Sequence, residues 1–306
     1  MIFAPRSCPS SPGFAMTTRM GRVTVGQYRP VKLTVVGCSP AWPNPGGAQS
    51  GYLLEGPGRV LLDCGPGVLA RLRADGGWPQ LDAIVITHFH LDHWGDLVPW
   101  VWGTMFGLGR DDTPPELWVP PSGRERLALL GGQLGREDMF ERTFRVQAYA
   151  EGNPFSAGGL DLSAVRVPHY TLETYGLRVS NGRKSLAYSG DSGPSERLGE
   201  LARGVDLFLC EATLNHGDSD GEPRGHLSAD EAVQAFAASG AGRLLLTHRP
   251  AELPLEPGLE QAYDGLELYV GEPMVPPQPP PLRADAAEPR APAPGEARLR
   301  RTAGEG

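Results

Sequence analysis

Residues 83–93 read Ala83-Ile84-Val85-Ile86-Thr87-His88-Phe89-His90-Leu91-Asp92-His93, an apolar run that opens into three histidines and a carboxylate within six positions. Such a cluster at the mouth of a buried strand is poor packing material, because ionisable groups are rarely buried without partners. Imidazole and carboxylate are the ligands that borderline divalent metals such as zinc prefer. Strand geometry sends neighbouring side chains to opposite faces, so His88 and His90 can share one side. Once the chain turns, Asp92 and His93 can point at a second position nearby. One segment thereby offers two ligand pairs to two adjacent metals.

Working outward, short apolar runs alternate with helical patterns. The expected strands are Lys32–Val36, Tyr52–Glu55, Val60–Asp63, Ala83–Thr87, Leu117–Val119, Leu160–Val167, Tyr175–Ser180, Ser185–Ser189, Leu207–Cys210 and Leu244–Thr247. Asn181-Gly182 predicts a tight hairpin turn between two of them. Helices fit Val68–Ala74, Arg124–Leu130, Ser195–Arg203 and Ala229–Ser239. Ser228 with Glu231 forms a capping box, Gly240 stands where a helix C-terminal glycine belongs, and Pro194 is expected to open the third helix. The pattern indicates an α/β layered domain with helices covering the sheets.

The chain of 306 residues, 40% hydrophobic and 21% charged, has enough apolar content for an ordinary globular core. Residues 1–30 lack clear periodicity and read as an N-terminal extension, and Met16 and Met20 within it are candidates for a downstream natural start. From about residue 276 the sequence turns to Pro, Ala, Arg and Glu, a composition that cannot offset its ordering entropy. The folded unit is therefore expected at 31–275, with a disordered tail at 276–306. A net charge of -8 argues against a broad basic surface for long nucleic acids. No stretch approaches the roughly 20 apolar residues of a membrane span, and no apolar signal region opens the chain, so a cytoplasmic location is expected. The four cysteines, Cys8, Cys38, Cys64 and Cys210, stand singly, with no paired spacing for a metal. Cys38, Cys64 and Cys210 read as small buried thiols.

Only seven histidines are present, and beyond the cluster they are His169, His216, His226 and His248. His169 follows the apolar strand ending at Val167-Pro168, and His248 follows Leu244-Leu245-Leu246-Thr247. Asp191 has the same setting after Leu186-Ala187-Tyr188-Ser189-Gly190. Backbone at strand ends is held by the sheet yet open at the rim, which suits preorganised ligands. Four ligands cannot fill two metal shells, and these three are the best-placed partners. His216 reads as a solvated loop residue. Trp94, Trp100, Trp102 and Phe106 read as core before they read as a base-stacking group, and Tyr170 stays open between the two.

His88-x-His90-x-Asp92-His93 followed by His169, Asp191 and His248 resembles the metallo-β-lactamase superfamily, and the likeness covers nearly all of 31–275. Leu61-Leu62-Asp63-Cys64-Gly65-Pro66-Gly67 resembles the strand-turn element that precedes the cluster there. The resemblance implies a single-domain, four-layer αββα sandwich with the metals at one edge. It implies that His88, His90 and His169 hold one divalent ion, that Asp92, His93 and His248 hold the other, and that Asp191 bridges them. Zinc is the default, and manganese or iron can occupy the same ligands. Two adjacent dications lower the pKa of water and clamp both attacking and leaving oxygens, which suits hydrolysis of phosphodiesters, thioesters or amides.

Tyr188-Ser189-Gly190-Asp191-Ser192, Cys210-Glu211-Ala212-Thr213 and Gly225-His226-Leu227-Ser228 are similar to the ribonuclease Z-like branch. There the residues matching Glu211 and His226 help protonate the leaving oxygen, so Asp92, Glu211 and His226 are the expected catalytic groups. Cys210 departs from that branch, which carries histidine before Glu-Ala-Thr. A second departure is length. His169 and Asp191 are only 22 positions apart, too few for the arm with which ribonuclease Z clamps tRNA. The chain is more similar to compact relatives that include bacterial cyclic-nucleotide phosphodiesterases, and Glu173-Thr174-Tyr175-Gly176-Leu177-Arg178 fits that form. The expectation is a dinuclear metal-dependent phosphodiesterase acting on a small (cyclic) nucleotide. The alternatives are a tRNA 3′-processing endoribonuclease and a thioester or lactam hydrolase. Long nucleic acid and membrane are not expected partners, and pairing into homodimers is left open by the resemblance.

Overall fold

The structure, a computed structural model, describes residues 29–107, 113–217 and 220–272. Apart from residues 29 and 30, the expected N-terminal extension lies outside the described residues, as does the expected tail at 276–306. In chain order the elements are β1 (Lys32–Gly37), β2 (Gly51–Glu55), β3 (Arg59–Leu62), α1 (Val68–Leu72), β4 (Ala83–Val85), α2 (Leu91–Trp94), α3 (Leu97–Phe106), β5 (Glu116–Val119), α4 (Gly123–Gln133) and α5 (Met139–Thr143). There follow β6 (Arg145–Ala148), β7 (Phe155–Ala157), β8 (Leu160–Val167), β9 (Thr174–Ser180), β10 (Ser185–Tyr188), α6 (Glu196–Leu201), β11 (Leu207–Glu211), α7 (Ala229–Ser239), β12 (Leu244–Thr247) and β13 (Glu267–Tyr269).

The strands form two sheets, in the orders β13-β1-β2-β3-β4-β5-β6 and β12-β11-β10-β9-β8-β7. Period-2 alternation within single strands builds the layers. Leu33, Val35, Tyr52, Leu54, Val60, Leu62 and Val85 face Leu177, Leu186, Tyr188, Leu207, Leu209 and Leu245 across the space between the sheets. The alternate residues Leu53, Leu61, Ile84 and Ile86 pack outward on α1, α3, α4 and α5 through Val68, Trp100, Leu127 and Phe140. On the other side Phe208, Cys210 and Leu246 pack on α6 and α7 through Leu198, Leu201 and Ala232. The result is the αββα sandwich. Its central strands are covered on both faces, which is why they read as continuous apolar runs. No helix of the described residues is long and apolar enough to cross a membrane.

Several local expectations change. The short strands β6, β7 and β13 escaped the periodicity reading because each is three or four residues long and buries only one side chain. Helix α3 escaped it for the opposite reason: Leu97-Val98-Pro99-Trp100-Val101-Trp102 is apolar all round and offers no contrast between faces. Pro99 is accommodated because it lies in the first turn, where no intrahelical donor is needed. Trp100 is core, while Trp94 and Trp102 pack partly buried against it. Phe106 is a correction: it is 69% exposed and stacks on Trp102 at 5.7 Å.

The β9–β10 hairpin is present, but Ser180 pairs with Ser185, leaving a four-residue loop where a two-residue turn was expected. Only Gly182 there has positive φ, at 83°, and Asn181 instead uses Oδ1 to accept the Arg183 and Lys184 N–H groups. Ser195, and not Pro194, marks the start of α6, accepting the Arg197 N–H. The Ser228–Glu231 capping box and the left-handed Gly240 bound α7 as expected.

Candidate metal centre

Strands β3, β4, β5 and β6 run parallel, as do β10, β11 and β12. Their C-terminal ends, with that of β8, deliver every candidate ligand to one rim. His88 follows β4, His90 is the N-cap residue of the single turn α2, and Asp92 and His93 lie inside α2. His169 follows β8, Asp191 follows β10, Glu211 ends β11 and His248 follows β12. The expectation that His88 and His90 alternate along a strand is corrected, since β4 ends at Val85 and both histidines lie in the segment after it.

The structure brings the seven predicted ligands together in two groups. His88, His90, His169 and Asp191 each place a donor atom within 4.8 Å of the others, and so do Asp92, His93, Asp191 and His248. Asp191 belongs to both groups. Its Oδ2 lies 3.1 Å from His93 Nε2, 3.6 Å from His248 Nε2, 3.7 Å from His88 Nε2 and 3.9 Å from His169 Nε2. The groups close through His169 Nε2 to His90 Nδ1 at 2.7 Å and His248 Nε2 to Asp92 Oδ2 at 3.0 Å.

Outer partners set which ring nitrogen faces inward. His88 Nδ1–H donates to Thr87 Oγ1, His93 Nδ1–H to Asp63 Oδ2, His169 Nδ1–H to the Gly225 carbonyl and His248 Nδ1–H to Thr213 Oγ1. Four Nε2 atoms are thereby aimed at the centre, in the manner by which carbonyls and carboxylates orient metal-binding imidazoles. Asp63 and Thr213 appeared in the sequence only within motif strings, and no role was assigned to either. For Asp63 a signal existed: it ends the apolar run Leu61-Leu62, the same setting as Asp191. In the structure Asp63 accepts from Thr87 N, Thr87 Oγ1, His93 and the Tyr188 hydroxyl.

The donor set fits divalent cations on two grounds. His88 Nε2 and Asp191 Oδ1 are buried polar atoms with no hydrogen-bond partner, which proteins ordinarily avoid. The protonation states also suit. Burial pulls the His88, His90 and His169 imidazoles below their usual range, leaving neutral lone pairs. Burial pushes Asp191 and Asp92 up, but the charge and hydrogen bonds of neighbouring histidines outweigh it and keep both ionised. Burial pulls His93 down, and Asp191, Asp92 and Asp63 outweigh it, so His93 is raised well above its usual range. A cation held at the centre would take the place of that proton.

Backbone strain concentrates here. Among the described residues, the non-glycine residues with positive φ are Asp63 (57°), Tyr170 (48°) and His248 (51°), all at this rim. Such conformations persist where surrounding contacts over-determine them. Gly65 is needed for a different reason: a Cβ there would lie 1.9 Å from the Asp92 carbonyl oxygen. Gly65→Ala is expected to destabilise the protein by about 1–3 kcal/mol through this overpacking and to lower metal occupancy, as read by urea melts and metal analysis.

Glu211 and His226 come together beside the ligands. His226 Nδ1 lies 3.0 Å from Glu211 Oε1, and its ring lies 4.9 Å from that of His169 and 5.7 Å from that of His248. Glu211 is fully buried and also accepts the Ser192 N–H and the Thr213 hydroxyl. Burial pulls His226 down, but Glu211 outweighs it and raises the imidazole to about 9. His216 is an exposed loop residue, as expected. Cys38, Cys64 and Cys210 are buried free thiols that burial pushes up, and none joins a ligand group.

Three proteins illustrate the relationships of this chain. It is 37% identical to the Mycobacterium tuberculosis protein Rv1339, over 77% of this chain and 88% of that protein. It is 30% identical to the probable metallo-hydrolase YhfI of Bacillus subtilis, over 72% and 87% of the two chains. The crystal structure of YhfI, a metallo-beta-lactamase fold protein, superposes with a TM-score of 0.68 at 25% identity, covering 79% of this chain and 99% of that one. Ribonuclease Z of Mycobacterium marinum is 28% identical over 71% of this chain and 86% of its own. A family model for the beta-lactamase superfamily domain matches residues 58–249. With its αββα sandwich, the paired ligand groups at one rim and these matches, the chain belongs to the beta-lactamase superfamily and is a metallo-hydrolase.

Proposed function

We propose that this metallo-hydrolase is a dinuclear phosphodiesterase whose substrate is a small cyclic nucleotide. The observation that carries the reading is the Glu211–His226 pair standing beside the two ligand groups. When bound, a pair of dications supplies Lewis acidity, easing ionisation of water and offsetting charge on phosphoryl oxygens. His88, His90 and His169 would hold one ion and Asp92, His93 and His248 the other, and the Asp191 carboxylate would offset repulsion between them. Zinc is the proposed metal.

Opening a nucleotide phosphodiester expels an alkoxide, a poor leaving group that needs a proton. His226 is built to give one. Its Nδ1–H is held by Glu211, which leaves Nε2–H for the leaving oxygen and stabilises the charged ring. Glu211 raises the imidazole to about 9, so near neutral pH the ring carries the proton it would donate. Asp92, besides contributing a ligand, orients the attacking water.

The small-substrate part of the reading is supported by the His169–Asp191 interval. It is filled by the β9–β10 hairpin, whose strands belong to the sheet, so it contributes no projecting arm. The net charge of -8 also disfavours the many phosphate contacts that a long RNA requires. The likeness to ribonuclease Z keeps tRNA processing as the second reading. A panel of 3′,5′-cyclic nucleotides, bis-p-nitrophenyl phosphate, a tRNA precursor, a thioester and a β-lactam separates the readings. Turnover of the precursor or of acyl substrates, without turnover of the phosphodiesters, would overturn the proposal. His226→Ala is expected to slow cyclic-nucleotide hydrolysis by about 10²–10⁴-fold while sparing bis-p-nitrophenyl phosphate, whose nitrophenolate leaves unaided.

A further inference from the structure

Asp220 lies six positions before His226, outside both ligand groups, yet it organises the loop that presents the imidazole. Its Oδ2 accepts the Gly225 N–H at 2.7 Å and the His226 N–H at 3.0 Å. Its Oδ1 accepts the Gly221 N–H at 2.9 Å and the Tyr170 hydroxyl at 3.2 Å. The carboxylate's acceptor capacity is thus filled by one short stretch of backbone and one side chain.

The same loop is tied to the segment that carries His169. The Tyr170 N–H donates to the Arg224 carbonyl at 3.1 Å, and His169 Nδ1–H donates to the Gly225 carbonyl at 2.6 Å. Gly225 admits no side chain, since a Cβ would lie 2.3 Å from the Tyr170 ring. Tyr170 holds its strained φ of 48° with its ring 5.7 Å from that of His226. On the far side, Arg224 pairs with Glu231 of α7. Among the described residues, Asp220 is the one side chain that caps the His226 amide directly and also fixes Tyr170.

We propose that Asp220 is a positioning residue for His226: it sets the backbone from which the imidazole reaches the leaving oxygen, and so governs proton delivery rather than metal loading. The inference rests on the acid role given to His226 above. A group that acts only through the acid matters where the leaving group needs a proton and not where it does not. A residue that merely supports the fold affects both cases alike.

The test compares kcat of the full-length, metal-loaded chain on 3′,5′-cyclic AMP, which releases an alkoxide, and on bis-p-nitrophenyl phosphate. Asp220→Ala is expected to lose about 30–100-fold on the cyclic nucleotide and less than about 3-fold on the aryl ester, with metal content unchanged. Asp220→Asn keeps a carbonyl acceptor for the two amides but places an amide donor near the Gly221 N–H. It is expected to lose about 3–10-fold, again on the cyclic nucleotide alone, and it carries the test if the alanine variant does not fold. Equal losses on both substrates, or none on either, would overturn the inference. If His226→Ala is selective and the Asp220 variants are not, Asp220 loses its role and the acid assignment stands. If His226→Ala itself shows no selectivity, the acid assignment falls and takes this inference with it.

Discussion

Asp191→Ala is expected to abolish hydrolysis, with turnover falling by more than about 10³-fold and bound metal dropping from two equivalents to one or none. Loss of a group that merely orients a ligand already costs about 10–100-fold in metal affinity. Asp191 stands closer: its Oδ2 lies within 3.9 Å of ring nitrogens from His88, His93, His169 and His248, so its loss is felt in both groups at once. Asp191→Asn keeps the shape and removes the charge. If the carboxylate's main work is to offset repulsion between two cations, the asparagine variant should resemble the alanine one in metal content. Metal analysis alongside turnover distinguishes this from simple misfolding, because a folded variant retains its thermal transition.

The largest stability effect is expected at Asp63. This carboxylate is fully buried and accepts hydrogen bonds from His93 Nδ1 at 2.7 Å, Thr87 N at 2.8 Å, Thr87 Oγ1 at 2.9 Å and the Tyr188 hydroxyl at 2.8 Å. Asp63→Ala strands those donors in a dry interior. Breaking a buried pair from one side costs about 3–5 kcal/mol. In a domain of this size that lowers the melting temperature by about 6–20 °C, and the unheld His93 ring should weaken metal binding by about 10–100-fold. A calorimetric scan of the metal-free variant isolates the first effect. Titration with zinc reads the second. Tyr188 extends the same bracing between the sheets: its ring lies 4.8 Å from that of Tyr52, whose hydroxyl bonds Thr247 just before His248.

What was legible in the sequence was the chemistry at strand ends. A dense His/Asp cluster just beyond an apolar run is unusual enough to be noticed, as are His169, Asp191 and His248 at later strand ends, and the fold gathers all seven. The central strands were legible because burial on both faces leaves long apolar runs, as in Leu207-Phe208-Leu209-Cys210. The rest was hidden for physical reasons. Helix α3 has no polar face to reveal a helical period. The edge strands β6, β7 and β13 are too short to show alternation. Asp220 looked like an ordinary turn residue because its meaning lies in two amides and a tyrosine, the last 50 positions away in the chain. Asp63 was visible as a residue but not as a partner, since nothing in one sequence links it to His93 or Tyr188.

The central claim is that seven side chains, far apart in the chain, converge on two cations. Anomalous scattering at a metal edge, from crystals of the purified protein, tests it most directly. The expected result is two peaks, one among His88, His90 and His169 and one among Asp92, His93 and His248, with Asp191 touching both. A single peak, or none, in crystals of protein that retains full phosphodiesterase turnover would contradict the account.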